Sequence, residues 1–181
     1  HWRDWSSDVC SSDLRMNYML TPRLQAVADF IPKNTSIADI GTDHANLPIF
    51  LIKSQKIHHA IAIDVNEGPY CTAKQAVEHN CLTKEIDVRL GSGLSALKPK
   101  EADIAVFAGM GGLLINSLLK SAPAIVNSLQ GLVLQPQLAA EREAAVGKGP
   151  GVDPQTGQLQ FRLRHHLDRG QRRHLHQCGH V

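Results

Sequence analysis

Between residues 36 and 136 one pattern repeats, and it limits the fold more than anything else in the chain. A short apolar run ends in a glycine, a carboxylate or an amide, and a helical stretch then follows. The runs are SIADI (36–40), HAIAID (59–64), IDVRL (86–90), ADIAVFAGMGG (102–112) and GLVLQP (131–136). SIADI, a short apolar run before Gly41, is consistent with a buried parallel strand, and the others read as further strands. The segments LPIFLIKS, GPYCTAKQAVEHN and LLINSLLK carry the longer helical period. In the second, Tyr70, Ala73 and Val77 share a side. In the third, Leu114 pairs with Leu118 and Ile115 with Leu119. Ahead of them, TPRLQAVADFIP has Thr21 as N-cap, Pro22 at the first helical position and Leu24, Val27, Ala28 and Ile31 on one face. Strand and helix in alternation predict an α/β fold with right-handed crossovers and a mostly parallel sheet.

In such a sheet, ligands sit beyond the carboxyl ends of the strands, near the point where strand order reverses. The informative residues are therefore those directly after each strand: GTDH, DVNEGP, GSGL, AGMGG and QPQ. The first turn, Gly41-Thr42-Asp43-His44-Ala45-Asn46, lacks the second and third glycines of a dinucleotide fingerprint. A carboxylate at Asp43 would also repel a phosphate at a helix N-terminus. NAD and FAD are disfavoured. So is a P-loop, because no G-K-[ST] follows. S-adenosylmethionine fits better, since it carries an ammonium and a sulfonium but no phosphate. Asp39 or Asp43 suits its ammonium, and helix-terminal N–H groups suit its carboxylate. Asp64 ends the second strand at a spacing suited to ribose hydroxyls. Gly91, Ser92 and Gly93 suit the edge of the adenine. Thr42, Val65 and Ala108 adjoin these positions and join the candidate cofactor set. The plainer alternative is loop carboxylates and turn glycines.

The segments RLQAVADFIP, IADIGTDHANLPIFL, NEGPY, GSGLSAL, FAGMGG and LVLQPQ, in this order and spacing, resemble the bacterial tRNA adenine-N1 methyltransferases that act on adenine 22. The resemblance covers roughly residues 19–140. It implies a Rossmann-like class I methyltransferase sheet using S-adenosyl-L-methionine, and a C-terminal helical extension that helps grip tRNA. Gly41, Asp43 and His44 match its cofactor turn, Asp64 its ribose acid, and Gly91 to Gly93 its adenine turn. Gly109, Met110 and Gly111 stand where many base methyltransferases carry an Asn/Asp-Pro-Pro-aromatic motif. Gln135 and Pro136 match a Gln-Pro-Asn-like segment, from which Gln137 departs. Arg23 matches an arginine near the domain's start. The candidate catalytic set is thus Arg23, Gly109, Met110, Gly111, Gln135 and Pro136. Met110 as core packing, His44 as a structural cap and Arg23 as a surface residue are the alternatives.

The ends read differently. HWRDWSSDVCSSDL (1–14) has the look of translated adaptor sequence and is expected to be disordered. Residues 141–181 hold seven Lys+Arg against four Asp+Glu and five of the ten histidines, and lose both periods. They read as a frameshifted, poorly ordered tail, with a basic RNA-binding arm, or a metal site at His174, His176, Cys178 and His180, as competing readings. The last strands of the sheet are then expected to be lost or scrambled, and this chain's own activity is in question. Residues 15–140 are the expected methyltransferase domain. The net charge is +2, so charge alone announces no nucleic-acid partner. No run long enough to cross a membrane occurs. Cys10, Cys71, Cys81 and Cys178 contain no CxxC pair and read as thiols of a reducing cytosol. The expectation is a cytoplasmic enzyme whose partner is tRNA, with no metal and no membrane. A methyltransferase for another substrate and a non-catalytic nucleotide- or RNA-binding module remain open, because fold does not fix function.

Overall fold

A computed structural model describes residues 19–136 and the backbone of 160–163. The expectations for 1–14, for Gln137 and for most of 141–181 lie outside the described residues.

The first helix, α1 (Pro22–Phe30), starts where its signals place it, with the Leu24 N–H donating to Thr21 Oγ1 at 3.4 Å. Parallel strands follow: β1 (Ser36–Ile40), β2 (His59–Asp64), β3 (Ile86–Leu90), β4 (Ile104–Met110) and β5 (Gly131–Pro136). The connecting helices are α2 (Asn46–Lys53), α3 (Glu67–His79), α4 (Gly112–Ser121) and the short α5 (Pro123–Ser128). A single 3-10 turn covers Gly93–Ala96. A further strand, β6 (Gln160–Leu163), runs antiparallel to β5. It is one strand beyond the five that the sequence pattern locates. The sequence QFRL alternates polar and apolar, but four residues are too few for a period to stand out.

The sheet order is β3-β2-β1-β4-β5-β6. The chain winds outward from β1 in one direction and then, from β4, in the other. The switch point therefore falls between β1 and β4. Strand periodicity sorts the core into two layers. Ile37, Ala60, Ala62, Ile104 and Val106 face α1, α2 and α3. Ala38, Ile40, Ile61, Ile63, Ala105 and Phe107 face the 3-10 turn, α4 and α5. On α4 the buried stripe is narrower than its leucine content implies. Ile115 is buried and Leu118 and Leu119 pack partly, while Leu113 and Leu114 are exposed.

Among the described residues, Cys71 is an exposed free thiol. Among the described residues, no helix is long and apolar enough to cross a membrane. No group of three or more His, Cys, Asp or Glu among them is placed to hold a metal.

Candidate active site

The turn after β1 is built from three left-handed residues. Gly41 (φ 74°) is followed by Asp43 (φ 56°) and Ala45 (φ 54°). Glycine takes this conformation freely, but a residue with a Cβ does so at a cost. The turn is held from several sides. The N–H groups of Gly41 and Thr42 both donate to the Ile63 carbonyl at the end of β2, at 2.8 and 3.0 Å. The Ala45 N–H donates to the Thr42 carbonyl at 3.1 Å. The Asp43 N–H donates to Asp64 Oδ2 at 3.4 Å. Gly41 also gives room to β4, because a Cβ there would collide with Met110 Cε.

Asp39 is the buried acid of the site. Period two puts it on the same face as Ile37, beneath the start of α2, with 4% of its surface exposed. Burial pushes its carboxyl up to about 6. The Thr42 hydroxyl, donating to Asp39 Oδ2 at 2.8 Å, opposes that rise, and the Asp64 charge adds to it. Asp43 lies at the mouth of the site, with His44 Nδ1 2.9 Å from its Oδ2 and both side chains more than half exposed.

Three separate elements meet across the switch point. Arg23 Nη1 on α1 donates to Gln135 Oε1 on β5 at 2.7 Å. The Gly109 N–H on β4 donates to the same oxygen at 3.1 Å. Gln135 Nε2 donates to the Pro136 carbonyl at 3.1 Å. Gly109 has φ 81°, and a Cβ on it would lie 2.8 Å from Arg23 Nη1. The guanidinium can sit there only because position 109 has no side chain.

One cavity of about 340 Å³ opens at this crossing. Of the candidate residues, Arg23, Asp39, Gly41, Thr42, Asp43, Ala108, Gly109 and Gln135 line it. Leu24, Asn46 and Leu47 line it too, and sequence reasoning did not single them out. Asn46 carried a usable signal, since it opens the helix right after the turn. Leu24 was hidden as one more apolar residue on the face of α1.

The other candidates lie beside the cavity rather than in its lining. The Asp64 carboxylate accepts from the Asn66 N–H at 2.9 Å as well as from Asp43, and its carbonyl accepts from the Gly91 N–H at 2.8 Å. Asp64 thus ties the ends of β2 and β3 to the turn. Val65 is exposed, and Ser92 precedes the 3-10 turn. Gly93 (φ 55°) is buried against Leu118 of α4. Met110 packs into the lower core and over Gly41. Gly111 caps α4, and Pro136 is buried at the end of β5.

A family profile for a methyltransferase domain matches residues 20–145. The tRNA (adenine(22)-N(1))-methyltransferase of Bacillus subtilis (strain 168) is 42% identical over 121 residues, which is 67% of this chain and 51% of that protein. A Streptococcus pneumoniae protein solved in complex with S-adenosyl-L-methionine superposes with a TM-score of 0.65 at 39% identity, over 69% of this chain and 57% of that one. TrmK of M. capricolum, solved with S-adenosyl-homocysteine, gives 0.62 at 36% identity, over 67% and 54%. The chain spans about half the length of these relatives. It belongs to the methyltransferase-domain family, with a Rossmann-like class I methyltransferase fold, and within that family it is similar to the tRNA (adenine-22-N1) members.

Proposed function

We propose that the chain is the methyl-donor-binding part of an S-adenosyl-L-methionine-dependent enzyme that methylates N1 of adenine 22 in tRNA, with residues 15–140 as its catalytic domain and the cytoplasm as its compartment. The observation that carries this reading is the cavity at the β1–β4 switch point. It joins two carboxylates, Asp39 and Asp43, to an arginine and a glycine turn, with no phosphate-binding glycine repeat. Its relatives in Bacillus subtilis, Streptococcus pneumoniae and M. capricolum support the donor and the substrate.

The residues present fit the donor. Asp39 and Asp43 offer anionic oxygens to an ammonium. Asn46 and Leu47, the first two residues of α2, bring the positive end of that helix to the cavity lining. Asp64, beside the turn, is set for ribose hydroxyls. S-adenosyl-L-methionine supplies an electrophilic methyl group on a sulfonium, and adenine N1 has a lone pair to take it. The chain's task is therefore orientation rather than proton removal. Well-oriented reactants gain about 7–11 kcal/mol from proximity. Gly109 and Gly111, lacking side chains, let a base approach the backbone of the β4–α4 turn. The base must first leave its stack.

Unmodified tRNA, incubated with the chain and S-adenosyl-L-methionine, is expected to give a primer-extension stop opposite position 22, absent when that adenine is replaced by guanine. Calorimetry runs alongside. Heat from S-adenosyl-homocysteine without any methylated RNA would reject the substrate and keep the donor. Absence of that heat would reject the donor as well.

A further inference from the structure

Charge divides the rim on which the cavity opens. Ten acids lie between residues 19 and 136, and all of them precede Ile104. The strands and helices from β4 to β5 therefore carry no carboxylate, and Lys120 is their one charged residue. A polyanion meets Asp43, Asp64 and Glu67 on the β1–β2 side of the cavity and no acid on the β4 side.

The acid-free side also carries a pair of bare apolar side chains. Leu113 and Leu114, in the first turn of α4, are 62% and 51% exposed. They follow directly on Gly109 and Gly111, where a base can reach the backbone. Side chains on a helix tilt toward its N-terminus. Because α4 starts at the carboxyl end of β4, both leucines lean toward the rim that holds the cavity. The helix beneath them is firmly seated. Ile115 is buried, and a Cβ on Gly93 would lie 2.7 Å from Leu118 Cδ2. Val65 and Leu90, exposed at the same rim, stand on the acid side with Asp64.

A base that leaves its stack leaves a gap between its neighbours, and closing around that gap opposes the reaction. Apolar side chains, leucine among them, fill such gaps in nucleic acids that proteins unstack. Two adjacent leucines on a fixed helix end, beside the turn that takes the base and on the side open to phosphates, have that form. We propose that Leu113 and Leu114 are a wedge that enters the tRNA stack where the target adenine has left it, with the RNA lying over the face of α4 that Leu113 shares with Ser117 and Lys120. Both of those residues are exposed, four and seven positions further on. This rests on the substrate assignment above and deepens it, since it names the side chains that hold the RNA open.

The test uses the full chain with S-adenosyl-homocysteine and tRNA carrying 2-aminopurine in place of adenine 22, whose fluorescence rises when that base unstacks. Wild type is expected to raise it several-fold. Replacing both leucines, Leu113→Ala with Leu114→Ala, should remove most of the rise while leaving tRNA affinity and the heat of S-adenosyl-homocysteine nearly unchanged. On unmodified tRNA the same variant should methylate about tenfold more slowly at saturating RNA, a loss in kcat rather than KM. Leu113→Met with Leu114→Met should restore both readouts. Ser117→Glu should weaken tRNA several-fold and spare S-adenosyl-homocysteine, because it puts an acid under the phosphates. Thermal midpoints confirm that the variants fold. Several results overturn the wedge: fluorescence and rate unchanged in the alanine pair, S-adenosyl-homocysteine weakened along with tRNA, a loss confined to KM, or a wild-type dimer in sedimentation that the alanine pair breaks, which would make a second copy the occupant of this face. If wild type methylates position 22 and the alanine pair does so equally well, the wedge falls while the substrate assignment stands. If wild type neither unstacks nor methylates that position, the substrate assignment has failed and the wedge with it.

Discussion

Asp39 shows how one residue serves the site at the expense of the fold. Its carboxyl is raised to about 6 chiefly by burial. A raised carboxylate favours the folded state only while protonated. Its contribution is complete below the unfolded value of 3.8 and is lost as pH rises through about 6. Two pH units correspond to about 3 kcal/mol. Asp39→Asn keeps the acceptor for the Thr42 hydroxyl and removes the titration. Urea unfolding should therefore show the variant gaining about 3 kcal/mol on wild type between pH 4 and pH 7. A gap that stays constant with pH would mean that burial does not penalise the charge. The left-handed Asp43 and Ala45 carry a similar cost in backbone conformation, and both sit at the turn where the cavity begins.

Among the elements, β3 and the 3-10 turn after it add ions to the apolar burial of Ile86 and Leu94. Arg89 donates to both oxygens of Glu101, at 2.8 and 2.7 Å, and to the Ala96 carbonyl at 2.9 Å, with Asp87 2.7 Å away. The Arg89 guanidinium pulls the Glu101 carboxyl down to about 2. A depressed carboxylate stabilises above its unfolded value of 4.5 and loses that contribution as pH falls toward 2. Arg89→Met should cost about 1–2 kcal/mol at pH 7, as expected for a pair half out of water, and much less at pH 2.5. Chemical denaturation at the two pH values measures it. The elements also differ in how well the sequence reveals them. The ends of β1, β2, β3 and β5 coincide with the runs read from the sequence, because a glycine, a carboxylate or a proline marks the point where each strand stops. For α5 and the 3-10 turn no period could be read, since six and four residues hold too few turns. The cavity was legible on its strand-end side, at Asp39, Gly41 and Gln135. It was illegible on its helix side, where Leu24 and Leu47 look like any core leucine. The clamp between Arg23 and Gln135 joins positions 112 residues apart, and no local pattern encodes such a bond.

The whole sheet is asymmetric at its edges. Among the described residues β3 is an unpaired edge, whereas the outer side of β5 pairs with β6 over Gly131–Leu163 to Leu134–Gln160. Removing everything after Pro136 should expose the β5 edge without disturbing the centre. Deuterium uptake is expected to rise across 131–136 and to stay unchanged across 36–40. Uptake that rises equally in both would show that β6 supports the entire sheet. The winding order has one more effect, on the timing of folding during synthesis. β1 is the second element made, yet its partner β4 lies more than sixty residues further on, and Gln135 later still. A chain growing on the ribosome thus has its glycine turn long before it has anything facing it. The lining of the cavity is therefore complete only once β5 has emerged.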